Sequence, residues 1–554
     1  MNVERPARLD RITAPAAGWS MHEWVLAPLL LAIGMFGSVL PDMGYFSMVP
    51  GDIGDPRFNS VVLEHLFRLA TGQQNALWSP DFFFPFGGVL AFSDNHLGSG
   101  AVYVAARLLG AMREHAFDVW YLTGFILNFL AALYALNRFG LSPAASAIGA
   151  FLFTFAIPAL AQNGHAQLVY RFAVPLAVLA LWQLFTRRRA MDAVTVIVWT
   201  VWQFYCSIYV GIFLFYLLAA MTAVLVRQER SVPLRPWLES LSRETAATKA
   251  LGAAVGVAAL AALAYLVGNY FAVSRLYDLG RDVEQITPML PRWASYIVAD
   301  VSPWLDGVAR SIPMPVRHEH QMFVGFGAVA LAAAGILGAW RQPGSRIGKT
   351  MMWSLLLLMI GTLWIKHFSF YYLIAWLPGI NAVRAVTRII VVMLLPISVL
   401  AGLGVDYLRR AVGRTAMADV AVVLASAALV VLEPLNVPPR SDPIAMWQER
   451  QAALKAILPT DLPPDAIIWV RTGSDVRVDM VHAELDAMIL AQDIGRPTLN
   501  GYSGNQPPGN IGSDSCDSVE DKLRGYADFM GGIDVSDYVK RVVTLDLSPC
   551  GKAQ

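Results

Sequence analysis

Charged residues are scarce in this sequence. Asp, Glu, Lys and Arg make up 15% of its 554 residues, whereas hydrophobic residues make up 56% and the mean hydropathy is +0.50. A soluble globular domain carries about a quarter charged residues. The shortage excludes an ordinary soluble protein and predicts a chain that lies largely in a lipid bilayer. The net charge of +1 gives no support for a nucleic-acid partner.

Motifs for nucleotides and hydrolytic nucleophiles are also missing. The chain has neither a Walker A sequence nor the glycine pattern of a dinucleotide-binding fold, so a nucleotide-linked substrate has no support. Ser503 does not lie in a G-x-S-x-G elbow, which leaves serine hydrolysis equally unsupported. Of only three cysteines, Cys206 lies in an apolar segment. For Cys516 and Cys550 a disulfide and two free thiols are both open.

Long apolar segments dominate what is present. A bilayer core of about 30 Å needs about 20 helical residues, and we predict eleven spans, near 24–41, 117–137, 143–161, 171–186, 192–205, 207–226, 250–272, 321–340, 350–365, 386–408 and 415–433. The segment 99–112 is shorter and carries Arg107, so we predict an interfacial helix there. The spans hold almost no ionisable residue away from their ends. This weighs against a proton-coupled transporter, which needs intramembrane charges.

Basic loop residues predict the orientation. They cluster before the first span, at Arg187–Arg189, at Arg227 and Arg230, in the loop 341–349, and at Arg409, Arg410 and Arg414. Placing these clusters in the cytoplasm predicts a multi-pass protein of a cell inner membrane, with its N-terminus in the cytoplasm. The regions 42–116, 273–320 and 366–385 and the chain after residue 434 are then exterior, in the periplasm.

These patterns predict an all-α polytopic membrane protein over residues 1–433, with a small α/β exterior domain over 434–554. The second region has 17 acidic and 11 basic residues, so acidic residues are in excess there, whereas basic residues are in excess in the rest of the chain. Its "DAIIWVRT" and "VVTLDL" are typical of strands, "EDKLRGYADFM" of a helix, and "NGYSGNQPPGN" of a turn cluster.

The first exterior loop, 42–116, carries the most chemistry. It contains Asp52 and Asp55 in "GDIGDP" and, further on, Asp94 and His96. An Asp close to an acceptor hydroxyl can act as a general base. Equally, Asp52 and Asp55 can form Asx turns around Gly and Pro. The aromatic run "FFFPFGG" in the same loop suits the bilayer interface.

Four stretches resemble the polytopic type-C glycosyltransferase superfamily, whose members take a sugar from a polyprenyl-phosphate carrier. They are "PGDIGDPRFNSVVLEH", "WSPDFFFPFGGVLAFSDNHLG", "NGHAQLVYRFAVPLAVLAL" and "NAVRAVTRIIVVMLLPISVLAGLG". The later "GRPTLNGYSGNQP" fits bacterial members that have a C-terminal exterior domain. The resemblance covers most of the chain.

The resemblance implies a catalytic acid soon after the first span, where Asp52 and Asp55 lie. "DPRFN" is similar to the DP-aromatic-FN string in the catalytic subunit of oligosaccharyltransferase, which favours Asp55, whereas the Gly-Asp pair of other members favours Asp52. Asp94 with His96 resembles a second acidic patch. His165 in "NGHAQ" matches as well, either orienting a substrate or capping a helix.

A phosphate-bearing donor needs an anion site. Arg384 and Arg388 lie four residues apart at the exterior start of a span, so we predict both on one face of a helix N-terminus. Snorkelling of the two side chains is the alternative. His318 and His320 form an H-x-H pair, but three ligands of fixed geometry are not evident. No residue is therefore assigned to a metal, and a divalent cation stays open as a cofactor.

The resulting expectation is an enzyme that transfers a sugar, with inversion, from a polyprenyl-phosphate donor to an exterior lipid-linked glycan, polysaccharide or protein. A lipid or glycan transporter is one alternative, and it would need polar residues along a path between spans. A non-catalytic envelope-assembly protein is the other. It would tolerate neutral substitutions at both loop aspartates.

The predicted topology can be mapped with reporter fusions along the chain. We expect a fusion at Arg187–Arg189 to report a cytoplasmic position and a fusion after Pro434 to report an exterior one. A cytoplasmic signal from the second fusion would contradict the loop assignments and, with them, the location of the site.

Overall fold

The computed structural model describes residues 21–302, 304–342, 344–377, 379–413, 415–473, 479–514 and 516–548. The basic N-terminal residues and Arg414, on which the predicted orientation partly depends, lie outside these ranges, as does Cys550. Cys516 is disulfide-bonded, and Cys206 is a buried free thiol.

Apolar helices form most of the described chain. Eight are long and apolar enough to cross a bilayer: Val25–Asp42, Arg113–Arg138, Pro143–Ala161, Ala166–Thr186, Ile208–Glu229, Ala246–Tyr277, Val386–Val412 and Ala416–Asn436. Three others have 16 or 17 residues: Met191–Cys206, Phe326–Arg341 and Arg346–Thr362. The predicted polytopic helical membrane protein is confirmed. Every predicted segment corresponds to a helix, but three of these helices are shorter than a full span.

Close helix packing depends on glycines that face backbone. Phe326–Arg341 packs on Ile390–Val412, and a Cβ added at Gly335 would lie 1.8 Å from the carbonyl oxygen of Leu400. A Cβ at Gly404 would lie 1.9 Å from the carbonyl oxygen of Leu331. Small residues are what allow two helix backbones to approach in a membrane, where burial of apolar surface gives little driving force.

The basic loops meet at one end of the helix bundle. Glu229 binds Arg188 at 3.1 Å and Arg346 at 2.6 Å, which brings together the ends of three apolar segments. Ile208 begins the helix that ends at Glu229, and it lies in the region of the polar exterior loops. A 22-residue helix is about 33 Å long, so the basic loops and these polar loops are on opposite sides of the bundle.

The first exterior loop is built around the helix Asp55–Ala70, with Pro56 in its first turn, where a missing N–H has no cost. The short helix Gly100–Leu108 has nine residues, too few to cross a bilayer, as predicted for this segment. The strand Met48–Pro50 pairs antiparallel with Ser441–Pro443 and so joins this loop to the chain after residue 434.

The segment 434–548 contains strands Ile467–Arg471 and Val542–Asp546, which pair in parallel, and helices Ile444–Ala456, Met480–Ile494, Val519–Phe529 and Ser536–Val539. Both predicted strands and the predicted helix are present. Residues 500–510 contain no helix or strand, as their turn residues predicted. The sequence did not predict the helices Ile444–Ala456 and Met480–Ile494.

Short helical elements complete the exterior and connecting regions. They are Gly44–Phe46, Val89–Phe92, Leu234–Arg243, Val283–Ile286, Thr287–Met289, Trp293–Ile297, Asp306–Ser311, Arg317–His320 and Phe370–Leu373. The segment 283–320 is therefore a succession of single turns, which suits a loop whose side chains line a site.

The aromatic run "FFFPFGG" packs against the C-terminal segment, a contact that the sequence did not predict. The backbone N–H groups of Phe83 and Phe84 donate to the carbonyl oxygens of Asn500 at 2.8 Å and Thr498 at 3.0 Å. The Phe86 ring packs edge-on against Tyr526, with centroids 4.9 Å apart. The run forms a hydrophobic core with the C-terminal segment.

A buried ion pair also joins the first loop to the C-terminal segment. Arg57 binds Asp486 at 2.5 Å, with the two side chains 0% and 3% exposed, and Arg450 binds the other oxygen of Asp486 at 2.5 Å. Removing one partner of such a pair leaves an uncompensated buried charge.

We expect Asp486→Asn to destabilise the protein by about 3–5 kcal/mol, because the arginines lose the charge that compensates them. Thermal unfolding in nanodiscs would show this as a lower Tm. Asp537→Asn is the matched control, since Asp537 is 94% exposed and its pairing with Lys540 is at 3.4 Å. Equal Tm values for the two variants would contradict the structural role of the pair.

Candidate active site

A cavity of about 1100 Å³ lies among the polar loops. Its walls come from the first exterior loop, the turn before the helix Ala166–Thr186, the regions 300–321 and 382–388, and the C-terminal segment. Six of the seven predicted site residues line it: Asp52, Asp55, Asp94, His165, Arg384 and Arg388. Residues more than 300 positions apart in sequence therefore share one site.

Asp55 is the first residue of its helix, where the helix dipole favours a negative charge. One carboxylate oxygen lies 2.9 Å from Nδ1 of His165, and the other accepts a hydrogen bond of 2.6 Å from the Tyr502 hydroxyl. The side chain remains 28% exposed, towards the cavity. Asp55 is thus fixed on both sides while still open to a substrate.

Two further charged side chains, Glu319 and Arg388, connect to Asp55 through His165. His165 Nε2 lies 3.5 Å from Oε1 of Glu319, and Arg388 binds both oxygens of Glu319, at 2.6 and 3.0 Å. Arg388 and Glu319 are buried, and the His165 side chain is 20% exposed. When the imidazole is protonated, the two negative charges of the carboxylates are balanced by the positive charges of the guanidinium and the imidazole.

The network shifts the pKa values of its members. Burial acts to raise the pKa of Asp55, but the hydrogen bond and charge of His165, the Tyr502 hydroxyl and the charge of Arg388 outweigh it and lower that pKa. Burial and Arg388 act to lower the pKa of His165, yet its bonds to Asp55 and Glu319 raise it. Burial likewise opposes ionisation of Glu319, and the charge of Arg388 holds its pKa well below the usual range.

Asp52 lies in a different environment. One oxygen accepts a hydrogen bond of 3.0 Å from the backbone N–H of Gly54, the Asx turn that the sequence left as an alternative. The other binds Arg440 at 2.5 Å, and the Asp52 side chain is 40% exposed. The geometry therefore distinguishes the two loop aspartates: Asp52 closes a turn at the rim, whereas Asp55 belongs to the buried network.

Asp94 and His96 do not act together. Asp94 lines the cavity, accepts a hydrogen bond of 2.6 Å from the N–H of Ile208, and has its pKa raised to about 6 by burial. His96 is fully buried beneath the cavity, with Nε2 2.5 Å from Oδ1 of Asn59. Burial lowers the pKa of His96 to about 3, so this imidazole is neutral and supports Asn59.

The two predicted arginines do not share a helical face. The first helical turn begins at Val386 and Ala385 has non-helical torsions, so Arg384 precedes the helix. Arg384 is exposed in the cavity, whereas Arg388 is neutralised by Glu319. Arg281 is another cation at the site, and no sequence pattern predicted it. Burial and then the charge of Arg384 lower the pKa of Arg281.

Arg281 also donates to the carbonyl oxygen of Gly504 at 2.7 Å and to Oδ1 of Asn505 at 2.5 Å. Nothing in the sequence around Arg281 indicated a site. The involvement of Tyr502 had a weak signal, because it lies in the "NGYSG" stretch that carried part of the resemblance. The sequence indicated no role for Glu319, which lies between His318 and His320.

The H-x-H pair does not converge on a common point. His318 is 68% exposed, whereas His320 is buried with Nδ1 2.7 Å from the Ser295 hydroxyl. In the described part of the chain, no group of three or more His, Cys, Asp or Glu side chains is arranged to hold a metal ion.

Comparison with known proteins gives matches among solved structures. No family model and no curated protein sequence matches the chain. The apo crystal structure of the Archaeoglobus fulgidus oligosaccharyltransferase aligns with a TM-score of 0.50 at 14% identity, over 86% of this chain and 64% of that one. This chain thus spans less than two thirds of that protein.

Archaeal oligosaccharyltransferase AglB from Archaeoglobus fulgidus, in complex with an inhibitory peptide and a dolichol-phosphate, aligns with a TM-score of 0.50 at 13% identity, over 95% of this chain and 69% of that one. ArnT from Cupriavidus metallidurans, bound to undecaprenyl phosphate, aligns with a TM-score of 0.43 at 13% identity, over 86% of each chain. The two matches at 0.50 show a shared fold: the chain has the fold of the archaeal oligosaccharyltransferase.

Proposed function

We propose that this protein is an integral-membrane glycosyltransferase that moves a sugar from a polyprenyl-phosphate donor to an acceptor at the exterior face of a cell inner membrane. The observation that carries the proposal is Asp55, held ionised and partly exposed in a cavity that also contains Arg384 and Arg281. A carboxylate and two guanidiniums provide a base for a hydroxyl and an anion site for a phosphate.

In the proposed reaction the acceptor hydroxyl attacks the anomeric carbon and its proton passes to the Asp55 carboxylate. The bond from that carbon to the phosphate oxygen breaks, and its electron pair leaves with the polyprenyl phosphate. A single displacement of this kind inverts the anomeric centre. Because a phosphate leaves without protonation, no second carboxylic acid is needed, unlike in a glycosidase.

The low pKa of Asp55 makes it a weak base that is always ionised at neutral pH. Such a base removes a proton effectively once the new carbon–oxygen bond is forming and the hydroxyl has become acidic. Arg384 and Arg281 then stabilise the charge that develops on the leaving phosphate. Arg388 acts at a distance, through Glu319 and His165, to keep Asp55 in place.

The donor follows from the fold and from the anion site. A dolichol-phosphate is present in the archaeal oligosaccharyltransferase complex, and we assign a lipid carrier of the same class to this chain. The acceptor is an exterior lipid-linked glycan, polysaccharide or protein, with the residues after 434 forming an exterior domain beside the site. A transporter would move the same lipid without breaking its sugar–phosphate bond, and an assembly protein would do neither.

The two loop aspartates give a matched pair of variants, because Asn preserves the size of Asp but cannot serve as the base. We expect Asp55→Asn to lose at least about a hundredfold in turnover, the usual contribution of a general base being about 10²–10⁴-fold. Asp52→Asn, which keeps a side-chain acceptor for the Gly54 turn, should lose less than about tenfold. Sugar transfer in nanodiscs, from a panel of polyprenyl-phosphate sugars, measures both.

Size-exclusion profiles of the two variants serve as the folding control. Near-wild-type turnover in Asp55→Asn would show that Asp55 is not the base. A larger loss in Asp52→Asn than in Asp55→Asn would transfer that role to Asp52. Comparing envelope glycans of cells with and without the gene identifies which sugar and acceptor to use.

Substitutions of Arg384 and Arg388 should change different kinetic parameters. We expect Arg384→Gln to raise the KM for the lipid donor, and Arg384→Lys to restore part of it, since Lys keeps the charge without the planar fork. Arg388→Gln should instead lower kcat, because it releases Glu319 from the pair that supports His165. Identical kinetic effects of the two Gln variants would contradict this division of roles.

A further inference from the structure

Tyr502 joins the C-terminal segment to the reacting group of the proposed site. Its hydroxyl donates a 2.6 Å hydrogen bond to Oδ1 of Asp55, 447 positions earlier in the chain. The Tyr502 side chain also lines the cavity. A hydrogen bond from a hydroxyl to a carboxylate of this length is of the strong, charge-assisted kind.

The loop that carries Tyr502 is anchored from several sides. Asn500 is buried, donates to the carbonyl oxygen of Val470 at 2.9 Å and accepts from its N–H at 2.7 Å. The N–H of Gly501 donates to Glu484 at 2.8 Å, and a Cβ at Gly501 would lie 2.3 Å from the Phe83 ring. The loop therefore lies directly on the first exterior loop, at a distance that only glycine permits.

The ring of Tyr502 has its own support, independent of the hydroxyl. It packs edge-on against Phe58, with centroids 5.9 Å apart. Phe58 follows Asp55 by one turn of the same helix. A phenylalanine at position 502 would keep this contact and remove only the hydrogen bond.

The titration of the pair determines what the hydroxyl can do. Burial, followed by the negative charge of Asp55, raises the pKa of Tyr502 well above its usual value. The hydroxyl therefore stays protonated and donates to the carboxylate across the working pH range. It stabilises the ionised form of Asp55, as His165 does from the other side.

We infer that Tyr502 is a positioning residue for the proposed base: its hydroxyl fixes and stabilises the Asp55 carboxylate, so the C-terminal segment completes the active site. The inference rests on the proposed function only in that Asp55 is taken as the base. A tail that merely covered the membrane module would have no need to contact Asp55.

The test compares pH profiles of kcat/KM between about pH 3 and pH 8 for the wild type, Tyr502→Phe and Tyr526→Phe, in the full chain in nanodiscs. The range extends below the ordinary pKa of an Asp carboxyl because the network lowers the pKa of Asp55. Removing the Tyr502 hydroxyl raises the pKa of Asp55, so the acidic limb should move to higher pH. A hydrogen bond to a charged group corresponds to a shift of about one pH unit. Tyr526→Phe is the matched control, because Tyr526 packs on Phe86, away from Asp55.

An acidic limb that moves in Tyr502→Phe but not in Tyr526→Phe supports the inference. A purely structural effect would lower kcat/KM at all pH values and leave the limb in place, and that result would overturn it. A wild type that transfers no sugar would contradict the proposed function. In that case, a double-mutant cycle measured by thermal unfolding tests the interaction between Tyr502 and Asp55 without an activity assay.

In that cycle, Tyr502→Phe is measured in the wild type and in Asp55→Ala. We expect it to lower Tm in the wild type and to leave Tm unchanged or raised in Asp55→Ala, where the hydroxyl has lost its acceptor. Additive changes in Tm would overturn the inference, because additivity means that the two groups do not interact.

Discussion

The ion network of Asp55, His165, Glu319 and Arg388 is the constraint on which the site depends. Isolated buried charges are very costly, and a carboxylate beside a membrane helix is stable only when cations compensate it. The four side chains come from four separate parts of the chain and meet within 3.5 Å of their partners. Any shift of one element would leave a charge uncompensated, so the network fixes these parts relative to one another.

The C-terminal segment is part of this arrangement as well. It meets the first exterior loop through the strand pair 48–50 with 441–443, the Arg57–Asp486 ion pair and the backbone contacts of Phe83 and Phe84. The ion pair is buried, and the three sets of contacts lie between residues 48 and 84 of the loop. They hold the C-terminal segment against the loop, and Tyr502 reaches the same carboxylate as His165.

Much of the fold could be predicted from the sequence because it depends on composition and local pattern. Apolar runs predicted the helices, and turn residues predicted the open structure of 500–510. The packing partner of the aromatic run at 82–86 could not be predicted, because it lies more than 400 residues later and no local pattern indicates it. Three helices are shorter than a full span, but hydropathy located the break between two segments: the predicted spans 192–205 and 207–226 correspond to Met191–Cys206 and Ile208–Glu229.

The candidate site was predictable only where residue type and motif coincide. Asp55 and His165 lie in motifs, and both line the cavity. Arg384 and Arg388 appeared equivalent because they are four apart, and only the start of the helix at Val386 separates them. Arg281 gave no local signal at all, since its role depends on a neighbouring charge that is distant in sequence.

The central claim is that the sugar–phosphate bond of a lipid donor breaks at Asp55. Phosphorus NMR of the purified protein in nanodiscs, with a polyprenyl-phosphate sugar and an acceptor, tests it directly, because the phosphodiester of the donor and the monoester of the released carrier give different signals. We expect the monoester to appear only with acceptor present, and the product to have the inverted anomeric configuration. A donor that stays a phosphodiester, even when it crosses the bilayer, would contradict the account and favour a transporter.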